Sequence, residues 1–96
     1  MSTEVVAKIL TLTAREVTPT ERLVLLFLAN EGDEETGACF ANPEIIARRT
    51  GLPEETVNRI IQDLTKKGFL QATPLPQEGG GGTLRHYSYG EKMPPD

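Results

Sequence analysis

Between Glu54 and Gln62 the chain carries its densest run of side chains able to grip a polar partner: Glu54, Glu55, Thr56, Asn58, Arg59 and Gln62. Arg59 has a planar fork that can donate two parallel hydrogen bonds to a guanine edge. Asn58 or Gln62 can pair in the same bidentate way with adenine. Thr56 suits a phosphate or a thymine methyl, and a glutamate there can accept from a cytosine amino group. Arg48, Arg49, Lys66 and Lys67 lie on either side of this run. Cations so placed suit phosphates, which fix register without reading sequence. This is the chemistry of recognition, not of bond making.

Other chemistries find little footing. No nucleophile–base pair and no pair of carboxylates stands out, so no enzyme is expected. One cysteine, Cys39, and one histidine, His86, cannot build a metal cluster, and an intrachain disulfide is excluded. Cys39 reads as structural, since nothing evident would activate its thiol. The acidic stretch 32–37 lacks the alternating ligands and distant bidentate glutamate of a calcium loop. Gly79 to Gly82 are followed by neither Lys-Ser/Thr nor a helix, so they do not read as a nucleotide loop. No cofactor is expected. No apolar run approaches the roughly 20 residues of a membrane span, and no signal-peptide pattern opens the chain. A cytoplasmic protein without a membrane partner is the expectation.

The polar run needs a rigid support, and the sequence supplies one. Val57, Ile60, Ile61 and Leu64 fall at i, i+3, i+4 and i+7, one face of a helix whose other face carries the polar residues. Lys66 and Lys67 followed by Gly68 form a helix-stop signal. Upstream, Asn42 is a natural N-cap and Pro43 suits the first helical position. Ile45, Ile46 and the small Ala47 follow, and Gly51 marks a turn where positive φ is expected. Leu52 then drops between the two helices. A small residue, a glycine four positions on, an apolar residue and an amphipathic helix make up the helix-turn-helix pattern.

Ile46-Ala47-Arg48-Arg49-Thr50-Gly51-Leu52, Thr56-Val57-Asn58-Arg59 and Leu64-x-x-x-Gly68-Phe69-Leu70 resemble the winged helix-turn-helix domains of bacterial and phage regulators. Thr18-Pro19-Thr20-Glu21-Arg22-Leu23-Val24-Leu25 and Gly37-Ala38-Cys39-Phe40 extend the likeness toward domains near the start of phage and plasmid replication proteins. The resemblance spans residues 18–73 and reaches toward 89. It implies a mainly α fold, a three-helix core with a small β-hairpin as wing. It also implies that the second helix of the pair enters the major groove of double-stranded DNA. The base contacts would be Glu55, Thr56, Asn58, Arg59 and Gln62. The backbone contacts would be Arg48, Arg49, Lys66 and Lys67, with Arg85 and His86 from the wing. Two features depart from the family: Pro53-Glu54-Glu55, where a serine or threonine cap and basic residues are common, and a wing tip with Glu78 and no cation.

The remaining segments read as support. Residues 1–17 are expected to form a helix over 3–17, with Val5, Ile9, Leu12 and Val6, Leu10, Val17 marking its apolar stripe. It either covers the core or serves as a dimerisation arm, since two-fold sites need dimers. Thr18, Pro19 and Glu21 start a second helix with a capping box. Leu23, Val24, Phe27 and Leu28 bury one side of it, with Leu25 and Leu26 widening the stripe. Residues 38–41 are expected to pair with the wing, residues 74–82 to form its loop, and Thr83 to Tyr89 its returning strand. The winged domain would span 18–89 and the tail or linker 90–96.

Charge tempers the DNA reading. Net charge is −4 with a pI near 5.0, whereas a basic surface is the usual footprint of a DNA binder. Residues 42–73 nevertheless hold five basic against four acidic side chains, and residues 1–41 three against seven. A DNA-binding regulator and an origin-binding domain of a replication protein remain open. So does a winged helix that binds another protein instead of DNA, which the acidic surface favours.

Overall fold

The computed structural model describes residues 3–32, 39–74 and 85–90. Its elements are α1 (Thr3–Thr11), α2 (Pro19–Glu31), β1 (Cys39–Ala41), α3 (Pro43–Thr50), α4 (Glu54–Lys67), β2 (Leu70–Pro74) and β3 (Arg85–Tyr89). The acidic loop from Asp33 to Gly37, Ala38, the glycine-rich tip with Glu78, Thr83 and Leu84, and the tail from Glu91 lie outside the described residues.

Helix α2 is the scaffold. Thr18 accepts from the Glu21 amide at 3.1 Å and the Glu21 carboxylate accepts from the Thr18 amide at 2.8 Å, closing the expected capping box. Val24, Leu25, Leu28 and Ala29 are buried, and α1, α3, α4 and β1 all pack against this helix. Leu23, expected inside, is 40% exposed, while Leu25 is fully buried. The reason is angular. The buried line runs through Glu21, Val24, Leu25, Leu28 and Ala29, and position 23 lies off it.

The expected helix over 3–17 stops at Thr11. Arg22 explains the stop. Its guanidinium donates to the carbonyls of Ile9 at 2.5 Å and Leu12 at 2.6 Å, so it satisfies groups at the helix end from 10 and 13 residues away. The chain then turns, with the amides of Glu16 and Val17 donating to Thr13 O. The Thr13 amide donates to the Glu16 carboxylate at 2.9 Å and, with a smaller contribution from Arg22, holds it below its ordinary pKa. Val17 still reaches the core, through the turn and not along a helix face. Ile9 and Leu12 join it there, Val5 and Val6 pack at its margin, and Leu10 is 60% exposed. Arg22→Met should cost about 1–2 kcal/mol, the worth of charge-assisted hydrogen bonds to carbonyls left part-buried. Thermal unfolding checks this, and amide exchange in α1 should rise more than exchange in α4.

The helix pair follows local rules. Asn42 accepts from the Ile45 amide at 2.8 Å and Pro43 opens α3. Gly51 sits at φ 79° and donates to Ala47 O at 2.9 Å. Gly51, Leu52 and Pro53 connect α3 to α4. Val57, Ile60, Ile61 and Leu64 are buried as their spacing requires. Gly68 at φ 89° ends α4, with its amide donating to Thr65 O and the Phe69 amide reaching back to Leu64 O. Those two bonds are a Schellman cap.

The three strands form one antiparallel sheet in the order β1-β3-β2. Tyr87 lies opposite both Cys39 and Ala72 and is 1% exposed. β1 pairs with the wing strand as expected. Pro74, expected in the loop, instead closes β2 opposite Arg85; β2 is an edge strand, where the missing amide of proline is tolerated. A three-helix core with a small antiparallel sheet, preceded by α1, is a winged helix-turn-helix.

Candidate nucleic-acid interface

The burial of four residues along α4 dictates what its outer face shows. Opposite Val57, Ile60, Ile61 and Leu64 run Glu55, Arg59, Gln62 and Lys66, at i, i+4, i+7 and i+11. All four are exposed. Of the five expected base-reading residues, Glu55, Arg59 and Gln62 therefore stand on the outermost line. Thr56 and Asn58 are half-buried and sit on its two flanks. Among the described residues, Arg59, Gln62 and Lys66 make no side-chain hydrogen bond or ion pair, so their polar ends are available to a partner.

The neighbouring cations sort into three kinds. Arg49 on α3 is exposed and unpaired among the described residues. Arg48 bonds Glu44 at 3.0 Å across one helical turn, with side chains 70% and 65% exposed. Such an exposed pair is worth about 0.3–0.5 kcal/mol and yields readily to a phosphate. Lys67 is different: its ammonium lies 2.7 Å from the Glu21 carboxylate, inside the α2 cap. The structure thus does not group it with the outward row. The backbones of Arg85 and His86 lie in β3, opposite Ala41 and Phe40 on one side and Pro74 and Thr73 on the other. Their side chains lie outside the described part.

Glu54 and Glu55 occupy the first turn of α4, and Pro53 precedes them with no side-chain cap bond. The two carboxylates meet the positive end of the helix dipole, which compensates for the absent cap. Glu55 also stands on the outward row, so one residue serves the helix and faces the partner. Away from this face, burial raises the Cys39 thiol, with a further push from Glu31. That shift is opposite to the one a nucleophilic thiolate requires. Burial, and secondarily Cys39, raises the Tyr89 hydroxyl as well.

Two of these arrangements escaped sequence reasoning. The Arg22 clamp on α1 and the Lys67–Glu21 bond both join residues at least ten positions apart, and no local motif links the partners. Among the described residues no helix is long and apolar enough to cross a membrane.

A family model described as a helix-turn-helix domain matches residues 15–70, from the turn before α2 to the first residue of β2. That description supports DNA binding in general. No curated protein and no solved structure matches the chain.

Proposed function

The chain belongs to the helix-turn-helix domain family, and from that premise we propose that it binds double-stranded DNA with α4 in the major groove. The observation that carries the reading is the outward row Glu55, Arg59, Gln62, Lys66, whose last three members keep their polar ends unpaired among the described residues. Arg59 and Gln62 read base edges, and Glu55 accepts from a cytosine amino group. Thr56 and Asn58 add contacts from the flanks. Arg48, Arg49 and Lys66 hold phosphates on either side, and Arg85 and His86 extend the contact from the wing. The protein is a cytoplasmic binding module, not an enzyme. It serves as a transcriptional regulator or as the origin-binding domain of a phage or plasmid replication protein. Both roles use the same contacts, and a two-fold site would call for a homodimer, with α1 as its arm.

A second reading has its own support. The net charge of −4 and the two carboxylates opening α4 suit a protein partner better than a polyanion. Selection of bound duplexes from a randomised pool separates the two. The DNA reading expects an enriched motif and a salt slope of about −3 to −4.5, about −0.9 for each phosphate contact, from Arg48, Arg49 and Lys66 alone up to all five contacts with Arg85 and His86. A palindromic motif would mark the dimer. No enrichment even at low salt would leave the protein-binding reading standing.

A further inference from the structure

Lys67 is the last residue of α4, one position before the glycine that caps it. Its Nζ lies 2.7 Å from Glu21 Oε1 and 3.3 Å from the carbonyl oxygen of Glu16. The acceptor is not an ordinary surface carboxylate. Glu21 Oε1 also accepts the Thr18 amide at 2.8 Å, and the Glu21 side chain is only 4% exposed. An ammonium from another helix thus neutralises a carboxylate already committed to the start of α2. The same ammonium touches the turn between α1 and α2. Three pieces of backbone meet at one charge.

The neighbour makes the contrast. Lys66 stands on the exposed row and has no side-chain partner among the described residues. One residue further round the helix, Lys67 points back across the protein to α2. At its other end α4 follows Pro53, which makes no side-chain cap bond. Among the described residues, the side-chain hydrogen bond that joins α4 to α2 is the one from Lys67, at the C-terminal end of α4.

We infer that Lys67 is a positioning residue: its bridge to the Glu21 cap sets the angle at which α4 presents Glu55, Arg59, Gln62 and Lys66. The inference rests on the DNA-binding reading for its functional consequence. Its structural consequence stands without DNA. Loss of the ammonium leaves a buried carboxylate without a counter-charge, and such a group moves toward water. Glu21 cannot move without loosening the α2 cap, so α4 loses its reference point on α2.

The test compares the full chain with Lys67→Met, Lys67→Arg and Lys66→Met. Residual dipolar couplings from backbone amides report the α2–α4 angle, and a salt titration on the selected duplex reports the phosphate contacts. Lys67→Met should change the couplings of α4 relative to α2 and weaken duplex binding severalfold, with the salt slope unchanged. Lys67→Arg should restore both. Lys66→Met should leave the couplings alone and reduce the slope by about one. Should Lys67→Met fail to fold, the double variant Lys67→Met/Glu21→Gln removes the bridge without stranding a buried charge, keeps a cap acceptor, and should show the same change in angle. Unchanged couplings in either folded variant overturn the inference, and so does a Lys67→Met variant that loses one unit of salt slope. If the parent protein enriches no duplex, the DNA reading falls by itself and the couplings still decide the positioning role.

Discussion

Gly90→Ala lowers the unfolding free energy by about 2–4 kcal/mol, at or above the usual range for forcing one methyl into a filled space. Gly90 follows β3, and its amide donates to Phe69 O at 3.0 Å. A Cβ added there would meet Gly68 O at 2.2 Å, Gly68 C at 2.7 Å and Leu70 N at 3.2 Å. All three atoms are backbone, so no side chain can swing aside. Gly68 itself is fixed by the Schellman cap of α4, and Phe69 and Leu70 are 5% and 1% exposed. Relief must therefore come from shifting β3, breaking the cap or moving buried side chains. At about 4–8 °C per kcal/mol for a domain of this size, the melting temperature should fall by about 10–30 °C. Gly51 supplies the contrast, since a Cβ there meets nothing within 4 Å and only its φ of 79° opposes a side chain. Gly51→Ala should cost about 1–2 kcal/mol, the ordinary penalty for the left-handed conformation. Calorimetry of the two variants side by side checks the ranking; equal losses would mean that the β3–α4 seam yields more easily than its geometry says.

The same distinction explains what the sequence made legible. The Thr18–Glu21 capping box, Asn42, Gly51 and Gly68 each act within four or five residues of their partners. Their spacing is their mechanism, so element starts and stops could be read directly. The apolar stripe of α4 was legible for a related reason: four buried residues at helical spacing leave little freedom about which face turns inward. The failures share the opposite property. The end of α1 depends on Arg22, whose side chain comes from the next helix. Val17 is apolar and seven positions after Leu10, so it reads as the last turn of a helical stripe, but it reaches the core through a turn. Leu23 was placed inside by its hydrophobicity, although α2 presents Leu25 instead. A different limit applies to Lys66 and Lys67, which read alike in the sequence as cations suited to phosphates. Only the fold shows that one turns outward and the other reaches a carboxylate 46 residues away. For the candidate interface, composition identified the polar residues and helical geometry ordered them. Their base partners depend on a docking angle that no local pattern encodes.

Arg59→Ala reduces affinity for the selected duplex by about 10- to 100-fold, the worth of a good bidentate base contact. The loss should come with relaxed preference at one base pair, because removing the fork removes the penalty for a mismatched edge. The fold should be untouched. Arg59 is exposed, lies opposite the buried line of α4 and has no side-chain partner among the described residues. Its loss therefore strands no buried group, and the melting temperature should stay within about 4 °C of the parent, as for a surface change worth no more than about 0.5 kcal/mol. Repeating the duplex selection with the variant separates two roles for the side chain. Information lost at a single position of the motif identifies a base reader. A uniform loss across all sequences, with the salt slope reduced by about one, identifies a phosphate contact. In the second case the reading of sequence passes to Glu55 and Gln62, the neighbours of Arg59 on the same row. An unchanged affinity and an unchanged motif would remove Arg59 from the base readers and leave that role to Glu55 and Gln62 on the row and to Thr56 and Asn58 on its flanks.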